Sequence, residues 1–335
     1  MFGPHQIIRL PKATRPLLLV VVDTEEEFDW DAGFDRNATA VTALSELWRA
    51  QDLFDDYGIR PTYVIDYPVA SRAAETAVLK EYGAQGRAEI GIQMHPWVNP
   101  PFQETPSASN SYQGNLQPAL ERSKLKVLID AVGETFGVTP EIHKAGRYGF
   151  GPNTAAILSE LGLRFDLSLC PAFDFSDDGG PDYTAATADL YWFGADNALL
   201  GIPTTAGFAG PLGPTGPKLY PLLNAEGLAR SRLRSMLAQS GVLARMRLSP
   251  EGHSFADNKR LTRTLLAQGI RVFTFSFHSP SLKPNCTPYV KSEKELKKFL
   301  TQMRRYFDFF LGDLNGVAVT PSELRHRLEN GADDL

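Results

Sequence analysis

An α/β fold, closed or nearly closed into a parallel barrel, is predicted by three features of the chain. Short apolar, β-rich runs alternate with helically spaced apolar residues through both halves of the 335 residues, a pattern that gives parallel strands joined by crossover helices. About seven such units recur, which favours a barrel over an open sheet. No Gly-x-Gly-x-x-Gly or Walker pattern follows any of the runs, which argues against a nucleotide-binding sheet.

Leu17 to Val22 is a continuous aliphatic run between Pro16 and the polar cluster Asp23-Thr24-Glu25-Glu26-Glu27, so it reads as a strand buried on both faces. Val41, Leu44, Leu47, Trp48, Phe54 and Tyr57 then recur at helical spacing, with Gly58 as the stop. Pro61 to Asp66 is a second strand, Ala73 to Tyr82 a helix ending at Gly83, and Ala88 to Gln93 a third strand. Leu125, Leu128, Ile129, Val132 and Phe136 form a helical stripe closed by Gly137. An extended Pro140 to His143 follows, then a helix opened by Pro152 that carries Ile157, Leu158 and Leu161, then a strand from Arg164 to Leu169.

Between Cys170 and Phe255 the alternation lapses, and Asp178-Gly179-Gly180-Pro181 and the Gly/Pro run from Gly210 to Pro217 mark loops. The expectation is one barrel domain over 1–335 with an elaborated, loop-rich insertion over 170–255. That insertion should hold a strand near Leu199 to Ile202 and a helix around Leu228 to Met246. After Gly269 comes the strand Ile270 to Phe277, whose period of two puts Phe273, Phe275 and Phe277 on one face. A long amphipathic helix through Leu296, Phe299, Leu300, Met303, Phe307 and Phe310 ends the series.

The 34 Lys and Arg against 39 Asp and Glu give a charge of −5, without the basic surplus that neutralises phosphates, so nucleic acid is excluded as a partner. At 43% hydrophobic and 22% charged, the chain can bury a large core. Cys170 and Cys286 lack metal-motif spacing and read as reduced thiols. Leu17 to Val22 is too short to span a bilayer, and no signal-peptide pattern precedes it. The expected setting is cytoplasmic, without membrane insertion, and the acidic Asp333-Asp334 reads as a solvated tail.

In parallel barrels the reacting groups lie where strands end. Here those ends carry Asp23, Glu25 and Glu26, then His95, then Lys144 and Arg147, then Asp166 and Ser168, and last His278. Trp97, Trp192 and Tyr148 offer flat faces suited to a sugar ring, while His5, His143, His253 and His326 have no matching context.

Four segments carry a resemblance: Val22-Asp23-Thr24-Glu25-Glu26-Glu27-Phe28, Glu89 to Trp97, Lys144-Ala145-Gly146-Arg147-Tyr148-Gly149, and Phe275-Ser276-Phe277-His278-Ser279-Pro280-Ser281-Leu282. From about Leu17 to Leu324 the chain resembles the polysaccharide deacetylase superfamily, carbohydrate esterase family 4, and within it the lipopolysaccharide-biosynthesis branch, which shares the His-Ser-Pro-Ser-Leu stretch.

The resemblance implies a distorted (β/α)7-type barrel that removes an acyl group from an N-acylated sugar with a divalent metal, Zn²⁺, Mn²⁺ or Co²⁺. Asp23 matches the catalytic base and Glu25 the metal carboxylate, although Glu26 and Glu27 stand beside it as alternatives. His95 matches a metal-ligating imidazole. The second histidine of the family's His-x-x-x-His pair is replaced by Asn99, whose amide oxygen would complete a Glu25-His95-Asn99 metal site; counted from Gly91, Gln93 takes the first histidine's place. Lys144 stands where relatives carry an arginine that orients the base, and Arg147 could supply that fork instead. His278 matches the acid that protonates the leaving amine, across the mouth from the base, with Asp166 as its expected carboxylate partner. Ser279, Trp97 and Tyr148 are the expected sugar contacts. Two other readings stay open: a metal-independent C–N hydrolase of the same barrel, and a carbohydrate-binding protein without catalysis.

Overall fold

The computed structural model describes residues 5–29, 33–224 and 233–330; Asp333 and Asp334 lie outside them. Its strands in chain order are β1 (His5–Ile8), β2 (Leu17–Thr24), β3 (Thr62–Ile65), β4 (Glu89–Met94), β5 (Ile142–Ala145), β6 (Phe165–Asp166), β7 (Leu190–Phe193), β8 (Leu199–Gly201), β9 (Ala206–Ala209), β10 (Ala244–Arg247), β11 (Val272–His278) and β12 (Val317–Ala318). The main sheet runs β1, β7, β8, β6, β5, β4, β3, β2, β11, with β12 also on β2. From β8 through β6 to β11 the pairings are parallel, so these strands end on one rim.

The sheet curls, and no ladder joins β8 to β11 among the described residues. That gap is bridged by the chain around Pro203 to Thr205 and by Leu248: Thr274 donates from N to Thr205 Oγ1 and from Oγ1 to Pro203 O, and Ser276 N donates to Leu248 O. The (β/α)7-type barrel is therefore distorted at this seam.

Alternation along the strands sorts side chains into two layers. Leu18, Val20 and Val22 of β2 face the surrounding helices with Phe273, Phe275 and Phe277 of β11, whereas Leu17, Leu19, Val21 and Val272 face the barrel interior. The helix Glu293–Phe307 covers the outer layer; Ser292 accepts from Glu295 N at its start, and Tyr306 stacks on Phe275 at 4.9 Å. The same period continues past the strand ends. Asp23, Glu25 and His278 follow the inward positions, as do Gln93 and His95 after Gly91 and Lys144 after Ile142. Asp166 follows inward Phe165 and so faces outward with His143.

Several elements differ from expectation. The first helix splits into a 3₁₀ turn, Thr42–Glu46, and a helix, Trp48–Asp56. The second runs Ala77–Ala84 through Gly83, preceded by a one-turn helix, Tyr67–Ala70, that Asp66 caps. The strand expected from Arg164 to Leu169 pairs only at Phe165 and Asp166. Within 170–255 the strand near Leu199 is present, but the helix expected to Met246 covers Leu233–Gln239 and gives way to β10; residues 228–232 of it lie outside the described ones. The alternation Arg245-Met246-Arg247 lets β10 pair antiparallel with β9, a two-residue period hidden inside an apparent helical one. No helix among the described residues is long and apolar enough to cross a membrane. Cys170 and Cys286 are unbridged.

Candidate active site

The strand-end residues meet in a cavity of about 300 Å³ lined by Glu25, Phe28, Phe34, His95, Trp97, Tyr112, Gly146, Arg147, Tyr148, Phe175, Arg247 and His278. Asp23 lies just beneath, buried, and both of its carboxylate oxygens accept from Lys144 Nζ at 2.5 Å. A lysine gives a point charge rather than a fork, and here one ammonium straddles both oxygens. Burial opposes that ammonium, yet Asp23 outweighs it and holds the lysine pKa above its ordinary value. Arg147 does not reach Asp23: it donates to Ser111 Oγ and Asp178 Oδ2 and lies over the rings of Phe34 and Tyr112.

Glu25 accepts from Gln93 Nε2 at 2.8 Å, and its Oε2 lies 3.5 Å from His95 Nε2. Burial pushes this carboxyl up to about 8. Gln93 Nε2 also faces His95 Nε2 at 3.1 Å, while its Oε1 is buried without a hydrogen-bond partner. On the other side of the ring, Nδ1 faces Glu26 Oε2 at 2.8 Å. These contacts assign the imidazole proton to Nδ1 and leave the Nε2 lone pair toward Glu25; burial lowers the His95 pKa and favours that neutral ring. Glu26 accepts from Trp97 Nε1 at 3.0 Å, and its N–H donates to Asp66 Oδ2 at 2.8 Å. Burial raises both carboxyls, Asp66 more strongly.

The donors can hold a divalent metal. Two ligand atoms each about 2 Å from an ion lie roughly 3.3 Å apart, and Glu25 and His95 approach at 3.5 Å. The orphaned Gln93 oxygen fits as a third donor, because an amide flip would turn it toward the other two. Glu26, Asp66 and His95 also offer ligand atoms within 4.8 Å of one another. Those atoms are already engaged by His95 Nδ1, Trp97 and two backbone amides, so this group holds the ring from behind.

His278 sits beside the base, not across the mouth from it, since β11 is the hydrogen-bonded neighbour of β2 with His278 opposite Asp23. Its Nε2 lies 3.7 Å from Asp23 Oδ2 and 4.0 Å from Glu25 Oε1. The partner of Nδ1 is Glu251 Oε2 at 2.7 Å, and Glu251 Oε1 also accepts from His278 N and Ser281 Oγ. Burial alone would lower this imidazole, but Glu251, Glu25 and Asp23 together raise it to about 9.

The expected partner Asp166 faces the outer layer, where it accepts from Ser168 and meets His143 Nδ1 at 2.8 Å. Asn99 is likewise outside the site; its amide donates to Pro100 O and Lys124 O, because the loop after His95 is pinned by the buried Lys124. Ser279 accepts from Glu25 N at 3.3 Å and is fully buried, so it shapes the acidic turn. Trp97 stacks on His95 at 4.4 Å, which commits one indole face to the imidazole. Trp192 lies over Arg325 and does not line the cavity. Gly146 permits this packing: a Cβ there would come 2.0 Å from His95 Cδ2.

Reading the strand ends missed Glu251, Arg247, Asp66 and the aromatic wall of Phe28, Phe34, Tyr112 and Phe175, and it offered Glu26 as a metal carboxylate where the structure has it holding the His95 ring. Glu251 follows β10 in the run Ser249-Pro250-Glu251-Gly252, which is indistinguishable from an ordinary loop. The Glu26 pairing had one signal, the acidic repeat after β2.

No protein-family model matches the sequence, and no curated protein does. Among solved structures the chain is similar to a Mycobacterium smegmatis protein described as a polysaccharide deacetylase, with 15% identity and a TM-score of 0.53 over 98% of this chain and 96% of that one. It is also similar to Puue allantoinase, with 16% identity and a TM-score of 0.50 over 92% of this chain and 89% of that one. These likenesses show the fold: a polysaccharide deacetylase-like (β/α)7 barrel.

Proposed function

We propose that the chain is a hydrolase of carbon–nitrogen bonds other than peptide bonds, which removes an N-acyl group, foremost N-acetyl, from a sugar or sugar precursor. The observation that carries this reading is the convergence of Asp23, Glu25, His95 and His278 on one cavity, with contacts of 3.5 to 4.0 Å between them. The names of the two similar folds, a deacetylase and an allantoinase, support it. The stretch His278 to Leu282 supports a place in cell-surface polysaccharide or lipopolysaccharide metabolism, and the two unbridged thiols suit a cytoplasmic precursor.

An amide carbonyl is a weak electrophile and an amine a poor leaving group, so the site must supply a base, a polarising charge and an acid. Asp23 accepts the proton of the attacking water, and Lys144 fixes its carboxylate. Glu25, His95 and Gln93 are the residues that would hold a divalent metal, which when bound supplies Lewis acidity and lowers the pKa of water. Glu26 and Trp97 lock the His95 ring in place. His278, kept protonated by Glu251, gives its Nε2 proton to the departing amine. The aromatic wall excludes water and offers faces to the sugar ring.

A second reading rests on Gln93, whose amide nitrogen donates to Glu25 and faces His95 Nε2: a metal-independent hydrolase on the same barrel. The deciding experiment measures acyl release from N-acetylated amino sugars together with metal content, before and after chelation and after reloading with Zn²⁺, Mn²⁺ or Co²⁺. The leading reading expects stoichiometric metal and turnover lost on chelation. Undiminished turnover after complete metal removal selects the second reading, and no release from any sugar in any state rejects both.

A further inference from the structure

Among the described residues, the charged side chains at the cavity each have an opposite charge against them except one. Lys144 pairs with Asp23, His278 with Glu251 and Arg147 with Asp178. Arg247, from β10, has no carboxylate within ion-pair distance among the described residues. Its guanidinium donates from Nη1 to Tyr148 Oη at 2.9 Å and lies over the rings of Tyr148 and Phe173. Half-buried and facing the cavity, it is a cation held by aromatic faces with donors to spare.

Tyr148 is placed with equal care. Its backbone is left-handed, φ 59°, a conformation that non-glycine residues seldom adopt. The Tyr183 hydroxyl holds it by donating to Tyr148 O at 2.6 Å. Because the Tyr148 hydroxyl accepts from Arg247, its own hydrogen is left to donate. A guanidinium fork and a phenol side by side match a planar carboxylate or a phosphate. The cavity, about 300 Å³, is at the small end of ligand sites and suits a single ring, so this anion would belong to the same sugar that bears the acylated nitrogen.

We propose that the substrate is an anionic N-acyl amino sugar, bearing a carboxylate or a phosphate ester, and that Arg247 with Tyr148 receives that group. The inference rests on the deacylase reading for the nitrogen and on Arg247 alone for the charge. Both are tested by calorimetric titration of the protein with N-acetylglucosamine, its 1-phosphate, its 6-phosphate and its C6-oxidised uronic acid, followed by acetate-release assays on the same four. A hydrogen-bonded charge pair is worth roughly 10- to 100-fold, so at least one anionic sugar should bind tenfold or more tighter than the neutral one, and which one identifies carboxylate or phosphate. In Arg247→Gln the ratio of anionic to neutral affinity should fall to within about threefold of one, while Arg247→Lys keeps part of it. Equal binding of neutral and anionic sugars by the wild type, failure of all four to bind, or a preference that survives Arg247→Gln overturns the proposal. Anion preference without acetate release leaves the anion site standing and sinks the deacylase reading; acetate release without preference does the reverse.

Discussion

Asp23 and Glu251 approach the same imidazole from regions built on opposite terms. Asp23 comes from β2, a strand buried along its whole length, and reaches the cavity because its position continues the inward series Leu17, Leu19 and Val21. Glu251 comes from segment 170–255, where strands are short and mostly paired antiparallel, and it reaches His278 Nδ1 at 2.7 Å from a loop. The sheet fixes which atoms face inward; the segment supplies the charges that set how they titrate and what they accept. A barrel of this kind can keep its reacting groups constant while changing Glu251 or Arg247.

The largest expected effect tests the sheet side of that division. Asp23→Asn should lower acyl release by about 10²- to 10⁴-fold, because an amide cannot take the proton of water. It should also lower the melting temperature, since Lys144 keeps its burial and loses its counter-charge. A folded variant, checked by circular dichroism, that turns over at the wild-type rate would remove Asp23 as the base. Next is Gly146→Ala. The added methyl would overlap His95 and displace it from Glu25, and a shift on the order of 1 Å at a reacting group costs about 100-fold. Metal content should fall with activity; full activity would show that the ring position is not critical.

How far the sequence alone leads depends on the same division. Period-two alternation and strand-end polarity located Asp23, Glu25, His95, Lys144 and His278, because one backbone repeat carries each of them to a shared rim. The same alternation, followed one strand further, assigns Asp166 to the outer face, since Phe165 is the inward residue of β6. The adjacency of His278 and Asp23 depends on strand order, which is settled only once β11 lies against β2. Glu251 and Arg247 were not legible. The β9–β10 ladder that sets Arg247 opposite Ala206 is only four residue pairs long, so its alternation is hidden in an apparent helical period, and an isolated glutamate before glycine carries none of the context that makes a carboxylate chemical. Asn99 misled because sequence spacing stood in for direction: Lys124 pulls its loop away from the cavity.

Glu251→Gln tests the segment side and should have an intermediate effect. A general acid must be protonated, so activity falls as pH rises through the His278 pKa, about 9 in the wild type. Removing the Glu251 charge takes away the leading cause that raises it, so the basic limb of the kcat/KM profile should move down by one unit or more. At pH 8 a shift of one unit is a loss of about twofold and a shift of two units a loss of about tenfold, with little change near pH 6. Glu251→Asp should restore part of the shift. An unmoved limb in the glutamine variant would assign that limb to another group.

The smallest effect on activity is expected from Asp166→Asn, and it separates the two carboxylates most sharply. Asp166 Oδ1 meets His143 Nδ1 and accepts from Ser168 Oγ, while Oδ2 accepts from Ser168 N at 3.2 Å. All three residues are fully buried between sheet and helices. Asparagine keeps one accepting oxygen but turns an amide N–H toward the Ser168 N–H, leaving buried donors without an acceptor at a cost of about 1–3 kcal/mol. The charge facing His143 is lost as well. Chemical denaturation should therefore show a clearly less stable protein. The basic limb of the pH profile should stay where the wild type has it, because His278 takes its proton affinity from Glu251 on the other face of the sheet. A limb that moved with Asp166→Asn as far as with Glu251→Gln would mean that the outer network reaches through β5 and β6 to the cavity, and the division between the two regions would fail.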